Sequence, residues 1–480
     1  MTRLLTVLLP AVGALVVRMA PRCRATKVLV AIALLNASVS GWLAVSETPG
    51  TTATVLHNFF IMDATSRLFL LLISLVFLGI ATYIWSRVRA EPSLEKDIDH
   101  YVGFALLFIA AGNLAVLSHH LIAFWVFLEA TTLAAVPLIQ HGGHASAQRA
   151  SWKYFLFSGV GLALAFLGFA CIARSIELTG TREVAFFFDE LAQSVREPAD
   201  VWRRLGLVLV FLGFGTKLGL APMYSWLPDT YDAAPPATTA LLAAVQFNVA
   251  LVGVLRIFQI FRAADQSMVS MELVGLGLAT MAVSAFNLIA AKNYKKVIAY
   301  AALNHGGVIA VGLGIGKGAA YGVVLYAVSN AFIKAILFLT AGKIRSHYKT
   351  EQVSEVSGLI KDLPYSGLFF MVGTFALLGF PPFGSFLGEL IIMSGLVGGG
   401  HHLVFAAFCI ILTVTFIATC RAIFPMIWGE PKQKADWGRQ PVITILPKMV
   451  FLIALVAMGI YLPASVNRLF RQVAAGLGAQ

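Results

Sequence analysis

Apolar runs long enough to cross a bilayer as α-helices, about 20 residues each, follow one another from one end of this chain to the other. In hydrocarbon every backbone N–H and C=O must be satisfied internally, so such runs dictate an all-α membrane protein. Composition agrees: 59% of residues are hydrophobic and 12% charged, where soluble domains carry about 25% charge. The formal charge of +12 would suit nucleic acid as a partner. The Lys and Arg, however, lie in short links between apolar runs, where they set topology. The expected environment is the lipid bilayer, with no nucleic acid.

Fourteen spans satisfy the length rule. They divide into three N-terminal helices over 1–100, a five-helix unit over 101–262, a second over 271–428, and a last helix with a short tail over 446–480. Two spans are interrupted. The seventh, 204–222, ends at Ala221-Pro222 before a Pro-rich stretch reaching Pro235-Pro236, and the twelfth, 366–396, contains Pro381-Pro382. Proline removes an amide donor, and the freed backbone groups need protein or a wet cavity around them. Each five-helix unit holds one break, and an odd number of helices inverts the second unit relative to the first, as in many transporters.

Basic links set the sidedness. Arg18, Arg22, Arg24 and Lys27, then Lys292, Lys295 and Lys296, then Lys343, Arg345, Lys349 and Lys361, and finally Lys432, Lys434 and Arg439 mark one side. By the positive-inside rule that side is cytoplasmic and both termini lie outside. The link 6–7 is mixed, with Arg182 and Arg196 offset by Glu183, Asp189, Glu190 and Glu197. The first run has a basic flank but no small-residue cleavage site, so it reads as a retained helix.

Four cysteines (Cys23, Cys171, Cys409, Cys420) show no CxxC or His spacing, so neither an iron–sulfur cluster nor a metal site is expected. No GxGxxG or Walker-type phosphate loop occurs, which leaves nucleotide and flavin binding unsupported. His119-His120 and the pair His141 and His144 fall at helix ends and read as interface histidines. No catalytic redox site and no cofactor are expected in this chain.

Five ionisable residues stand inside apolar helices: Glu129, Lys217, His305, Lys334 and Glu389. A charge near the bilayer centre costs roughly 2.5–3.5 kcal/mol on insertion scales, so it persists mainly where it works. Lys217 follows Glu129 by 88 residues and Glu389 follows His305 by 84, which matches the two units. A static ion pair, a snorkelling lysine or a satisfied core histidine are the plainer readings. Two charges on separate apolar helices make a poor stability device, and the reading preferred is a proton relay.

The segments TKLGLAPMYSWLPDTYDAAPPATTALL, KKVIAYAALNHGGVI, NAFIKAILFLTAGKI and LLGFPPFGSFLGELIIMSGL resemble the antiporter-like subunits of respiratory complex I, membrane-bound hydrogenases and multisubunit Na⁺/H⁺ antiporters. The resemblance covers roughly residues 100–430, and the stretches FNVALVGVLRI and GLIKDLP are most similar to the F component of hydrogenase-4 and formate hydrogenlyase. It implies that Glu129 pairs with Lys217, that Lys334 passes protons between two half-channels, that His305 shuttles them, and that Glu389 is the exit-side acid. Asp229, in the WLPD motif, is implied to cap or hydrogen-bond the first break. Further implications are neighbouring membrane subunits and a hydrophilic redox arm holding iron–sulfur clusters, with nickel–iron, quinone or flavin. The setting would be a bacterial or archaeal cytoplasmic membrane, and the transported ion H⁺ or Na⁺. A cation/proton antiporter, an ion-driven inorganic-carbon uptake complex, or a scaffold without pumping are the rival roles.

The chain departs from the family pattern at several places. Asn248 stands where many relatives carry a lysine, although the hydrogenase-type branch resembles this chain in using Asn there; Tyr224 and Tyr231 flank WLPD, and Tyr326 and Asn330 precede Lys334, where histidines are common. Tyr and Asn hold water or hydrogen-bond but do not titrate near pH 7. The expected path then leans on water between Lys217 and Lys334 by way of Asn248 and His305: either it is wetter than in relatives or this member pumps poorly.

Overall fold

The structure is a computed structural model that describes residues 4–19, 22–46, 53–55, 58–91, 97–178, 184–195, 200–431 and 442–478, without the side chains of 22–23, 53–55 and 263–266. Of the residues named above, Arg182, Glu183, Arg196, Glu197, Lys432, Lys434 and Arg439 lie outside this description, as do the side chains of Arg22 and Cys23. The described chain is almost wholly helical. The N-terminal group is α1 (Leu5–Met19), α2 (Arg22–Ser46) and α3 (Ala64–Ala90). A small antiparallel ribbon, β1 (Ala53–Val55) with β2 (Phe60–Met62), sits in the link before α3.

The first unit contains α4 (Ile98–Leu117), α5 (Leu121–Gln140), α6 (Ala145–Leu178), the short α7 (Phe188–Ser194), α8 (Val201–Leu218), α9 (Trp226–Ala233) and α10 (Pro236–Ala240). A π-helical turn, Leu241–Gln246, leads into α11 (Phe247–Ala290). There follow α12 (Tyr294–Ile315), α13 (Ala320–Tyr348), the single turn α14 (Leu359–Asp362), α15 (Pro364–Leu377), α16 (Gly384–Gly398), α17 (His402–Trp428), α18 (Val442–Ile460) and α19 (Ala464–Gly476).

Among the described residues, eleven stretches are long and apolar enough to cross a membrane, and α1, α15 and α16 are shorter apolar helices. The expected fourteen spans all contain helix, but several are not self-sufficient. Helix α8 has 18 residues and holds Arg203, Arg204 and Lys217, three charges in a stretch that must be apolar to span alone. The twelfth span is two half-length helices. The spans expected at 237–262 and 271–291 are joined in one helical run, which cannot be straight: Phe247 touches Gly306 while Gly277 packs on Gly307. The chain therefore doubles back between those two contacts.

Both breaks use the same device. After α8, Gly219 takes φ +79°, its N–H bonds Thr216 O at 3.1 Å, and the Leu220 N–H bonds Gly215 O at 2.8 Å. After α15, Gly379 takes φ +69°, with Gly379 N–H on Ala376 O at 3.3 Å and Phe380 N–H on Phe375 O at 3.1 Å. These are Schellman caps, which need a left-handed residue and hence glycine. Leu-Gly-Leu-Ala-Pro at 218–222 and Leu-Gly-Phe-Pro-Pro at 378–382 write both of them: glycine turns the chain and proline stops the helix from resuming.

Packing follows the same correspondence. Helix α4 lies on α5 as the second half of α11 lies on α12; α6 packs on α8 and α9 as α13 packs on α15 and α16. Glycines bring several pairs to backbone distance, Gly168 against Gly206 and Gly322 against Gly388, the small-residue packing that replaces a hydrophobic drive in lipid. In two spans, Pro236–Arg262 and Ala320–Tyr348, an apolar stretch of 18 residues is wholly buried by neighbours. They form the centre of the molecule and carry much of its polar content.

Candidate ion-relay site

The first cluster gathers at the end of α8. Lys217 is 2% exposed and occupies the last turn, where the carbonyl end of the helix favours a cation. Its Nζ donates to Thr132 Oγ1 on α5, lies 3.5 Å from Tyr154 Oη on α6 and sits 4.9 Å from the centre of that ring. Thr132 Oγ1 in turn donates to Glu129 Oε2 at 3.0 Å. Among the described residues no direct ion pair joins Glu129 to Lys217; the hydroxyl of Thr132 stands between them. Spacing of three places Thr132 on the same face of α5 as Glu129, which is why it can mediate. Glu129 itself is half-buried. Tyr154 is held by an edge-on Trp226 ring at 5.0 Å, and Trp226 Nε1 donates to Thr216 O at 2.8 Å, a second donor on the carbonyl that already accepts the Gly219 N–H.

The second cluster lies on α13 and around the second break. Tyr326, Asn330 and Lys334 recur every four residues, so they share one face of a buried helix. Lys334 is 1% exposed, and its Nζ sits 3.6 Å from the centre of the Phe247 ring, a cation–π contact. His305 on α12 donates from Nε2 to Leu377 O at 2.9 Å, the final carbonyl of α15. The histidine thereby satisfies a backbone group that the break leaves open. Its ring is 5.2 Å from Tyr326. His305, Tyr326, Asn304 and Glu389 line a cavity of about 220 Å³. A Cβ on Gly379 would press on Glu389 Oε2, so glycine there also makes room for the carboxylate.

Between the clusters runs the start of α11. Gly253 packs against Phe124 of α5 and Phe214 of α8. Gln246, two turns earlier, shares that face, whereas the adjacent Phe247 turns to Lys334. Gln246 is fully buried, and among the described residues neither amide atom has a hydrogen-bond partner. The same holds for both amide atoms of Asn330, for Asn248 Oδ1 and for His305 Nδ1. Asn248 Nδ2 donates to Ala244 O at 2.7 Å in the π-helical turn. Buried polar atoms almost always have partners, and small polar cavities hold water for that purpose.

The remaining expected residues lie elsewhere. Asp229 neither caps a helix nor bonds the break: it bridges Lys153 Nζ at 2.7 Å and Lys296 Nζ at 3.1 Å, half exposed. Tyr224 sits in the link across the first break and is half-buried. His119 Nε2 meets Asp189 at 3.0 Å, His120 caps α5, and His141 stacks near Tyr101 at 4.7 Å. Among the described residues no group of three or more His, Cys, Asp or Glu is arranged to hold a metal.

Sequence reasoning missed Thr132, Tyr154 and Gln246. A polar residue one turn from an intramembrane glutamate, and an amide in an unbroken apolar run, were the available signals. It also missed a structural clamp. Arg256 on α11 grips Asp63 with two bonds, 2.6 and 2.8 Å, while Asp63 caps α3 through Ser66 N–H at 2.9 Å. Burial alone would raise the Asp63 carboxyl, but the guanidinium and the Ser66 bonds overcome it and hold it at about 2.

These features define a polytopic membrane protein with ionisable groups gathered at two helix breaks. The chain belongs to the family described as NADH:quinone oxidoreductase/Mrp antiporter, transmembrane, whose model matches residues 118–415. It is 28% identical over 427 residues to a hydrogenase-4 component F homolog of Methylacidiphilum infernorum, covering 86% of this chain and 88% of the relative. It is 27% identical over 393 residues to the D component of a Na⁺/H⁺ antiporter of Bacillus subtilis, covering 82% and 78%. The fold is shared with a chain of the archaeal membrane-bound sulfane sulfur reductase, at TM-score 0.87, 23% identity and 99% and 98% coverage. A chain of Thermus thermophilus respiratory complex I superposes at TM-score 0.80 and 24% identity over the whole of both chains. The protein is an antiporter-like, multi-pass membrane subunit.

Proposed function

We infer that this chain moves protons as one subunit of a multisubunit, redox-driven membrane complex, through Glu129, Lys217, Lys334, His305 and Glu389. The observation that carries this reading is the pair of ionisable clusters, one at each broken helix, on either side of the buried Gln246–Phe247 step. Glu129 lies at the flank, where a charge on a neighbouring subunit reaches it. Its carboxylate orients the Thr132 hydroxyl, whose oxygen then holds the Lys217 ammonium. When that negative charge is neutralised, Lys217 loses its counter-charge and hands on its proton. Water ordered by Gln246, Asn248 and Asn330 carries it towards Lys334.

His305 Nε2 keeps its hydrogen on Leu377 O, so Nδ1 is the nitrogen free to accept. Glu389 then releases the proton through the cavity it shares with His305. Tyr326 supplies a polar wall, Tyr224 lines the first break, and Asp229 anchors α9 to α6 and α12. The two units, 101–262 and 271–428, act as inverted halves. The redox cofactors (iron–sulfur clusters, with nickel–iron, quinone or flavin) belong to partner chains in a hydrophilic arm. Charge bias places both termini outside the cytoplasmic membrane of a bacterium or archaeon.

The near-equal identity to an antiporter component supports a second reading, cation/proton exchange without redox. Inverted vesicles carrying the intact complex separate the two. Donor-driven acidification that vanishes in Glu129→Ala and Lys217→Ala, with assembly retained, is the expected result. Unchanged pumping in either variant overturns the relay, and acidification driven by a cation gradient without a donor favours exchange.

A further inference from the structure

Away from the relay, the C-terminal end of α11, helix α17 and the link Gln352–Ser354 enclose a groove of about 670 Å³. Leu288, Ile289, Val414 and Ile417 form its walls, and Lys292 and Arg421 stand in it. Ile289 is 64% and Ile417 59% exposed, so the groove opens on the lipid-facing perimeter. Among the described residues no acidic side chain lines it. The neighbouring Glu351 is engaged by Arg345 at 2.9 Å and Lys295 at 3.6 Å. Neither Lys292 nor Arg421 has an acidic partner among the described residues. Arg421 stands seven residues before the end of α17 at Trp428, about 10 Å along the axis, within reach of the headgroup layer for a long side chain. Lys292 belongs to the short link between α11 and α12 on the basic side of the molecule.

Two unpaired cations at the mouth of an apolar, lipid-facing groove are complementary to one kind of molecule. We propose that this groove seats an anionic phospholipid, its phosphate between Lys292 and Arg421 and an acyl chain along Ile289 and Ile417. Basic pockets between membrane helices on the cytoplasmic side are built for such headgroups.

The test uses the intact complex in vesicles containing a phosphatidylglycerol with a photoreactive acyl chain, and a phosphatidylcholine analogue as control. Peptide mapping is expected to find the anionic probe on 286–289 and 414–418 in excess over the zwitterionic one. Labelling should fall about fivefold for Lys292→Gln and again for Arg421→Gln, the equivalent of roughly 1 kcal/mol per charge. Arg421→Lys should keep most of it. Equal labelling by the two probes, or labelling unchanged in the double variant, overturns the proposal. So does a disulfide between Ile417→Cys and a cysteine on a neighbouring subunit, which would show a protein helix in the groove. Lys292→Gln lies outside the helices and keeps the test open should Arg421→Gln fail to assemble.

Discussion

At the first break the ionisable group precedes the glycine cap: Lys217, on α8, is enclosed by Thr132, Tyr154 and, through Thr132, Glu129. At the second it follows the cap: Glu389, on α16, faces a cavity shared with His305, whose Nδ1 has no hydrogen-bond partner among the described residues. The same backbone device thus serves two environments. A charge with fixed donors and acceptors around it is held until a neighbour changes. A carboxylate on a cavity exchanges protons with whatever fills that cavity. On the relay proposed above, loading and gating would fall to the Lys217 cluster and release to the Glu389 cluster.

The largest effect that could break this contrast is at the open end. Glu389→Gln keeps the shape but cannot ionise, and pumping by assembled complex is expected to fall about tenfold or more. If pumping persists, the second break is merely structural. Gly379→Ala, which brings a methyl against the Glu389 carboxylate at a left-handed residue, should weaken pumping in the same direction and by less. At the closed end, Thr132→Val removes the hydroxyl between Glu129 and Lys217. A loss of roughly 1–1.5 kcal/mol of coupling, about tenfold in rate, is expected, with Thr132→Ser restoring most of it. An unaffected Thr132→Val would mean that the two charges communicate directly.

Outside the relay, Asp63→Asn leaves buried Arg256 without its counter-charge and should lower stability by roughly 1–3 kcal/mol in thermal unfolding, with little effect on pumping per complex. The carboxyl is held at about 2 against about 3.9 when unfolded. Its contribution is therefore fully present above pH ~4 and lost as pH falls through about 2. The stability gap between the native protein and Asp63→Asn should accordingly stay constant between about pH 8 and pH 5. The smallest effect is Asp229→Asn: its lysine pairs are part-exposed, and a change within about 1 kcal/mol is expected.

Much of this was legible in the residues. Span positions follow from hydropathy, and both breaks are written as Leu-Gly followed by proline within three residues. The five residues of the proposed relay were conspicuous because an ionisable group in an apolar helix seldom serves packing alone. What sequence could not supply was company. Thr132, Tyr154 and Gln246 are ordinary polar residues until folding aims them at a charge from a distant helix. The Asp63–Arg256 clamp spans 193 positions, and no local pattern reports it. Asp229 misled because a motif beside a break suggests a cap, whereas lysines from α6 and α12 reach it first. The helical run Phe247–Ala290 hides a reversal that hydropathy had placed in a link.

The central claim is that the two clusters are joined through the buried start of α11. Gln246→Leu replaces an amide by an apolar side chain of similar size at that joint. Donor-driven proton translocation, measured beside donor turnover in the assembled complex, is predicted to be lost while turnover continues. Full translocation with leucine at the joint would contradict a continuous path between Lys217 and Lys334.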